Sequence, residues 1–254
     1  MFFDTYKILR HQGKQFIPDI TKPVLPALFR GRPEISTAPC SVGCSACADV
    51  CPTEAILLDP VRLDVGKCVF CKECVWECDK DKFSFTNDYK IATNVRERLI
   101  VAEGVNDSIK LDSSKVREEI MKYFGSSLKL RQVSAGGDNS SEMELNACSN
   151  VNFDMGRWGI DWVASPRHSD GIVITGPITE NMAEALQICY DAIPTPKIII
   201  LAGTDAISGG IFEGSPAINR TFLENHHVDL YVPGNPPHPL TFINGVLEMI
   251  KARK

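Results

Sequence analysis

Ten cysteines occur in this 254-residue chain, and eight of them lie between Cys40 and Cys78. The later four follow the spacing Cys68-x2-Cys71-x2-Cys74-x3-Cys78. The earlier four follow Cys40-x3-Cys44-x2-Cys47-x3-Cys51, with Pro52 directly after. Three thiolates spaced in this way can cap three corners of an iron–sulfur cube, and the fourth, set off by the longer gap, ligates a partner cube. The pattern therefore predicts two 4Fe-4S clusters that exchange ligands. One would take Cys40, Cys44, Cys47 and Cys78; the other would take Cys51, Cys68, Cys71 and Cys74. The first run has an extra residue before Cys44, so Cys40 is its less regular ligand, and the second run ends on Asp79 where the pattern has proline. Two zinc knuckles are the competing reading. Zinc sites are satisfied by four ligands in pairs, fewer than two triplets with trailing cysteines supply. Two adjacent clusters would move single electrons.

The rest of the chain must hold these thiols. It is 44% hydrophobic and 23% charged, with a net charge of −5. That composition excludes a disordered acidic tail and lacks the basic signature of a nucleic-acid binder. No apolar run approaches the roughly 18–20 residues that cross a bilayer. The first sixteen residues are broken by Asp4, Lys7, Arg10, His11 and Lys14, so no signal-peptide core is present. The expectation is a cytoplasmic protein, in which clustered thiols stay reduced and serve as metal ligands.

Four zones follow. Residues 1–34 form a basic arm with six Lys/Arg against three Asp/Glu, and Pro18, Pro23, Pro26 and Pro33 prevent one continuous helix. Residues 35–92 hold the cysteine-rich unit, whose apolar content is low enough that it should need its metal to fold. Residues 93–127 read as a linker and short helix. Ser113 or Ser114 could cap it, Val116, Ile120 and Tyr123/Phe124 would share a face, and Gly125 would stop it. Residues 128–254 alternate strand and helix patterns. Strands are predicted at 128–133, 159–163, 171–175, 197–202 and 228–232. Helices are predicted at 179–192, with Met182, Leu186 and Ile188/Cys189 inward, and at 236–250. This alternation predicts a parallel, doubly wound α/β sheet. Its sites should lie in loops beyond the strand carboxyl ends, here 134–139, 165–170, 203–210 and 233–239.

Two family resemblances add to this reading. Phe29-Arg-Gly-Arg-Pro-Glu34, the first cysteine run and Lys67-Cys-Val-Phe-Cys71 resemble the two-cluster ferredoxin-like subunit of energy-converting hydrogenases and respiratory complex I. Ser165-Pro-Arg-His-Ser-Asp170, Thr175-Gly176, Ser208-Gly-Gly-Ile-Phe212 and Asp229-Leu-Tyr-Val-Pro-Gly234 resemble a different subunit of those complexes, the small hydrogenase subunit and its complex I counterpart. The chain thus looks like a fusion of two normally separate subunits. The implied architecture is a flavodoxin-like α/β domain with a parallel sheet, preceded by an α+β two-cluster ferredoxin-like domain. In that family the N-terminal arm lies along the membrane arm.

The departure from the second family is as informative as the match. Its members hold a proximal 4Fe-4S cluster on cysteines at positions that correspond to Ala135, Asp138, Ser141, Asp205 and Asn235. Hard oxygen donors suit such a cluster poorly. The expectation is a C-terminal domain without a cluster, kept as a scaffold for a large-subunit-like partner, as in energy-converting-hydrogenase-related complexes. Membrane-arm subunits would be further partners, and the chain would sit peripherally on the inner face of the cell membrane. A soluble ferredoxin-type carrier docking a different redox enzyme is the alternative. Purely structural clusters are a third reading.

Other residues carry weaker signals. Arg167-His168 reads either as interface electrostatics or as an arginine paired with Asp170. The adjacent His226 and His227 would point to opposite sides of a strand. Ser208-Gly209-Gly210 has no Walker lysine or G-x-G-x-x-G, so no nucleotide is expected. Trp158 and Trp162, four apart in a strand-like run, read as core or interface aromatics, and Cys189 as a core residue. Cys148 lies outside the former cluster loops.

Overall fold

The computed structural model describes residues 2–13 and 15–251. Its first helix is α1 (Phe2–Gln12). The cysteine-rich unit follows as an internal repeat. Its first half runs β1 (Pro33–Ile35), α2 (Ala46–Asp49), β2 (Ile56–Leu57); its second runs β3 (Arg62–Asp64), α3 (Glu73–Glu77), β4 (Phe83–Phe85). The outer strands pair antiparallel, Pro33 opposite Phe85, and so do the inner ones, Ile56 opposite Leu63. A further strand, β5 (Ile100–Ala102), adds to β3. Each half thus delivers a cysteine loop into one short helix, and α2 lies against α3.

The chain then passes through α4 (Glu118–Tyr123) into an α/β domain. Its elements are β6 (Leu128–Ser134), α5 (Ser140–Ala147), β7 (Ile160–Trp162), β8 (Gly171–Thr175), α6 (Glu180–Asp191), β9 (Ile198–Ala202), α7 (Thr204–Ser208), α8 (Thr221–Asn225), β10 (Leu230–Val232) and α9 (Pro239–Ile250). All five strands are parallel, in the order β7-β6-β8-β9-β10. This is the flavodoxin-like order, with its switch point between β6 and β8. β8 and β9 are buried along their whole length, as a sheet covered on both faces requires.

Alternate strand residues feed two cores. Val173, Ile198, Ile200 and Leu230 pack on one side with α4, α5 and α9. Ile172, Ile174, Ile199 and Leu201 pack on the other, in a cluster that continues through Ile207 into Leu63, Val65, Phe83 and three buried cysteines. The two halves therefore share one apolar core. The linker tightens the union, since Thr93 exchanges N–H···O bonds of 3.0 and 2.8 Å with Tyr231 and so extends the β10 edge.

Several expectations need correction. Ile188 is 62% exposed, because the inward face of α6 runs through Leu186 and Cys189 and turns Ile188 to solvent. The helix near residue 114 is split. Asp112, not a serine, accepts from the Ser114 N–H, and Val116 is extended (φ −74°, ψ 126°), which ends the first turn before α4. On α4, Ile120 and Phe124 are buried while Tyr123 faces out. Trp158 lies in a 3-10 turn that Gly159 (φ 80°) ends, ahead of β7. Trp162 stacks on Phe242, with ring centroids 5.6 Å apart. His226 and His227 are not in a strand. His226 follows α8 and stacks on Phe222 at 4.3 Å. The last helix begins at Pro239, with the His238 side chain accepting from the Leu240 N–H. Helix α5 has no counterpart in the strand and helix pattern read from the sequence. The inner part of the basic arm is not free: Ile20 is buried, and the Asn244 side chain donates to its carbonyl at 2.9 Å.

Candidate metal centre

In the first cysteine loop the extra residue is absorbed by a turn closed by Cys44 N–H onto Ser41 O (3.0 Å), with Gly43 at φ 74°. Cys40 and Cys44 are exposed on it, and Cys47 is buried on α2. Upstream, the Lys82 amine, 2% exposed, donates to Ala38 O and to Glu103, each at 2.6 Å, which anchors the chain two residues before Cys40. In the second loop Cys68 and Cys74 are buried, and Cys71 and Cys78 half-buried. Phe70 (φ 56°) and Lys72 (φ 74°) adopt left-handed backbone there. Such conformations in bulky residues persist only where surrounding structure holds them. Here they wrap the chain so that Phe70 N–H points at Cys68 Sγ (3.3 Å). Ala55 N–H points at Cys51 Sγ at the same distance.

The thiols of the two runs interleave: Cys47 feels Cys78 and Cys40, Cys68 feels Cys74, Cys51 and Cys71, and Cys74 feels Cys71, Cys51 and Cys47. Cys51, Cys68, Cys71 and Cys74 also line one cavity, walled by apolar residues such as Ala55, Ile56, Leu63 and Phe85. Burial pushes Cys68 and Cys74 up to about 12, and neighbouring thiols add to the shift. Thiols raised this far become thiolates only when a cation bonds them. Among the described residues, no three His, Cys, Asp or Glu converge closely enough to hold a single ion. The donor set fits a larger thiophilic group: soft ligands, apolar walls and N–H donors aimed at sulfur.

The loops of the α/β domain present different chemistry. Those after β6, β9 and β10 converge at the sheet's carboxyl end, where Thr204 N–H meets Gly234 O at 2.8 Å. Ala135 is buried, and Asp138 accepts from the Ser140 hydroxyl and N–H, contacts that hold its carboxyl below the usual range. Ser141 is buried in the first turn of α5, and its neighbour Glu142 accepts from Thr175 Oγ1 at 2.6 Å. Asp205 sits on α7. Burial first, then Asp138 and Glu142, push its carboxyl up, and its buried Oδ1 has no hydrogen-bond partner among the described residues. Asn235 lies across a cleft from Val69 and Phe70 of the second cysteine loop. The structure thus brings the five oxygen- or methyl-bearing positions around one corner of the sheet.

The fourth predicted loop, 165–170, does not join them. It returns directly to the amino end of β6, where Ser169 donates to Lys129 O and the Asp170 carboxylate accepts from Lys129 N–H (2.6 Å). Only a single 3-10 turn, Pro166–His168, separates β7 from β8, so the connection never climbs to the carboxyl end. Arg167 and His168 are exposed on this loop, while Asp170 is engaged by Lys129.

Two contacts had no distinct sequence signal. Thr204 Oγ1 donates to Cys68 O (2.8 Å, buried), which ties the second cysteine loop to the start of α7. Arg30 donates to Phe70 O (2.7 Å) and Cys71 O (3.2 Å).

A parallel sheet in flavodoxin-like order, with converging loops at its carboxyl end and a cysteine repeat docked beside them, defines an α/β domain of the doubly wound class. The profile of the NADH ubiquinone oxidoreductase 20 kDa subunit family matches residues 139–249. The probable membrane-bound hydrogenase subunit mbhJ of Pyrococcus furiosus is 33% identical over 142 residues, which cover 56% of this chain and 85% of that protein. The chain belongs to this family. Other relatives are a subunit of the F(420)H(2) dehydrogenase of Methanosarcina mazei, 39% identical over 44% of this chain and 62% of its own length, and an NADH-quinone oxidoreductase subunit of Geotalea daltonii, 36% identical over 42% and 62%. A chain of the membrane-bound sulfane sulfur reductase, an archaeal respiratory membrane complex, aligns with TM-score 0.44 and 27% identity over 51% of this chain and 73% of that one.

Proposed function

We propose that this chain is an electron-transfer subunit of a membrane-bound, complex I-like or energy-converting-hydrogenase-related oxidoreductase. It would carry two 4Fe-4S clusters on the ferredoxin-like repeat, and its α/β domain would serve as a scaffold without a proximal cluster. The observation that carries the reading is the crossing of the two cysteine runs, in which Cys51 of the first lines one cavity with Cys68, Cys71 and Cys74 of the second, beside a domain of the hydrogenase and complex I subunit family. Bound clusters supply one-electron chemistry at potentials spanning about −700 to +450 mV, tuned by charge, hydrogen bonds and exposure. The chain's own residues do the tuning. Cys68 and Cys74 are withdrawn from water, and the Phe70 and Ala55 N–H groups stabilise negative charge on sulfur.

The α/β domain would dock a large-subunit-like protein through its carboxyl-end loops. The relatives' names, which include membrane-bound hydrogenase and NADH-quinone oxidoreductase subunits, support such partners. No helix among the described residues is long and apolar enough to cross a membrane. Attachment to the cytoplasmic face through membrane-arm subunits is supported by α1, which exposes Phe2, Tyr6 and Leu9 at i, i+4, i+7 spacing.

Iron and acid-labile sulfide analysis of anaerobically purified protein should find about eight of each per chain. About twelve would restore the proximal cluster, and stoichiometric zinc without sulfide would replace the reading altogether. Co-purification from membranes with a large-subunit homologue is the expected context, and a soluble monomer would favour a free carrier.

A further inference from the structure

We propose that Arg30 sets the reduction potential of the cluster on Cys51, Cys68, Cys71 and Cys74, as a positioning residue that acts through the second cysteine loop. The inference rests on the two-cluster reading.

Arg30 lies forty residues away in sequence, yet its Nη1 donates to both Phe70 O (2.7 Å) and Cys71 O (3.2 Å). These carbonyls belong to the segment that wraps Cys68 and Cys71. Phe70 sits there at φ 56°, in the left-handed region that a bulky residue rarely occupies. That conformation aims its N–H at Cys68 Sγ. By holding the carbonyls of Phe70 and Cys71, the guanidinium fixes the peptide that follows Phe70 and so helps hold Phe70 in the left-handed conformation that aims its N–H at Cys68 Sγ.

Two effects then act in the same direction. Reduction adds one electron to the cluster, so an N–H donor on a ligand sulfur and a fixed cation nearby both favour the reduced state. Arg30, Val69 and Phe70 also line the cleft shared with Asn235 and His238, beside the α/β domain loops. The first cysteine loop is held differently: its anchor is the Lys82 contact with Ala38 O, two residues outside the ligand run, and Cys40 and Cys44 are exposed. Arg30 therefore distinguishes the two clusters.

The test is an EPR-monitored redox titration of the full chain, anaerobically purified, with dithionite and mediator dyes. Cys44→Ser, which disturbs the other cluster, assigns the two signals. In Arg30→Gln the reduced-to-oxidised ratio of the Cys68 cluster at fixed potential should fall about tenfold, or about 59 mV for a one-electron couple. The other cluster should stay in place. Arg30→Lys, which keeps the charge but not the fork, should fall less, and it serves as the measured variant if Arg30→Gln sheds iron. An unchanged Cys68-cluster potential in an iron-replete variant, or equal shifts in both clusters, overturns the proposal. Wild-type protein lacking iron and sulfide would defeat the two-cluster reading instead.

Discussion

The cysteine repeat and the carboxyl-end corner of the sheet stand side by side, joined by Thr204 on Cys68 O, and they solve opposite problems. In the repeat, short strands of two or three residues and two one-turn helices surround buried thiols. On the proposed reading such a unit would draw much of its folding energy from its bound group. At the corner stand Ala135, Asp138, Ser141, Asp205 and Asn235, the positions that the family resemblance aligns with a cluster's cysteines, and the fold rests on wholly buried strands. On the proposed reading, the difference is that a fold can do without a site and keep its architecture. A site embedded in a large apolar core is dispensable to that core; a site that is the core is not.

Iron removal should produce the largest effect. Chelation under reducing conditions is expected to open residues 40–78 to hydrogen exchange while the amides of β8 and β9 stay protected. Equal exchange in both regions would erase the distinction. Cys74→Ser should leave about four of about eight irons per chain, read by metal analysis.

Arg117→Ala tests the sheet side. Arg117 clamps Asp229, whose side chain is 3% exposed, with bonds of 2.8 and 3.0 Å, and also donates to Lys197 O. Left with the Ile199 N–H as its remaining donor, that buried carboxylate should cost about 1.5–3 kcal/mol in denaturant unfolding, with cluster spectra unchanged. A loss near zero would place the stability of the α/β domain elsewhere.

Thr204→Val addresses the seam. It leaves Cys68 O without its buried hydroxyl donor, at an expected cost of about 1–3 kcal/mol and with faster exchange in the second cysteine loop. If that loop is unaffected, the seam is held by its apolar packing and by the other links across it, such as Lys67–Glu213.

Asp205→Asn gives the smallest effect and sharpens the comparison through pH. Burial, aided by Asp138 and Glu142, holds the Asp205 carboxyl above its ordinary 3.8. The folded state keeps this proton to higher pH than the unfolded chain does. Stability therefore falls as pH rises from the unfolded value through the raised one. The variant should flatten that part of the stability–pH curve; an unaltered slope would mean the carboxylate is solvated in place.

Much of this was legible in the residues. Strands β6, β8 and β9 and helix α6 follow from apolar runs and periodicity that match their observed bounds to within a residue or so. Spacing also proposed how the thiols group, and the structure places Cys51, Cys68, Cys71 and Cys74 around one cavity. Helix α5 escaped because it carries no apolar stripe: it buries Ser141 and Glu142 through a hydroxyl contact from another strand. The loop at 165–170 was misplaced because hydrophobic period identifies β7 but not how far the chain travels after it.

Cysteine spacing, strand–helix alternation and the absence of thiols at the sheet corner were determined by sequence alone, since each depends on residues near one another along the chain or on residue type. The tertiary structure decided which remote groups meet: Arg30 on the second cysteine loop, Thr204 on Cys68, Arg117 on Asp229 and Lys82 ahead of Cys40. Those pairings close over long stretches of chain. They are selected by the packing of one shared apolar core, and no local pattern encodes them.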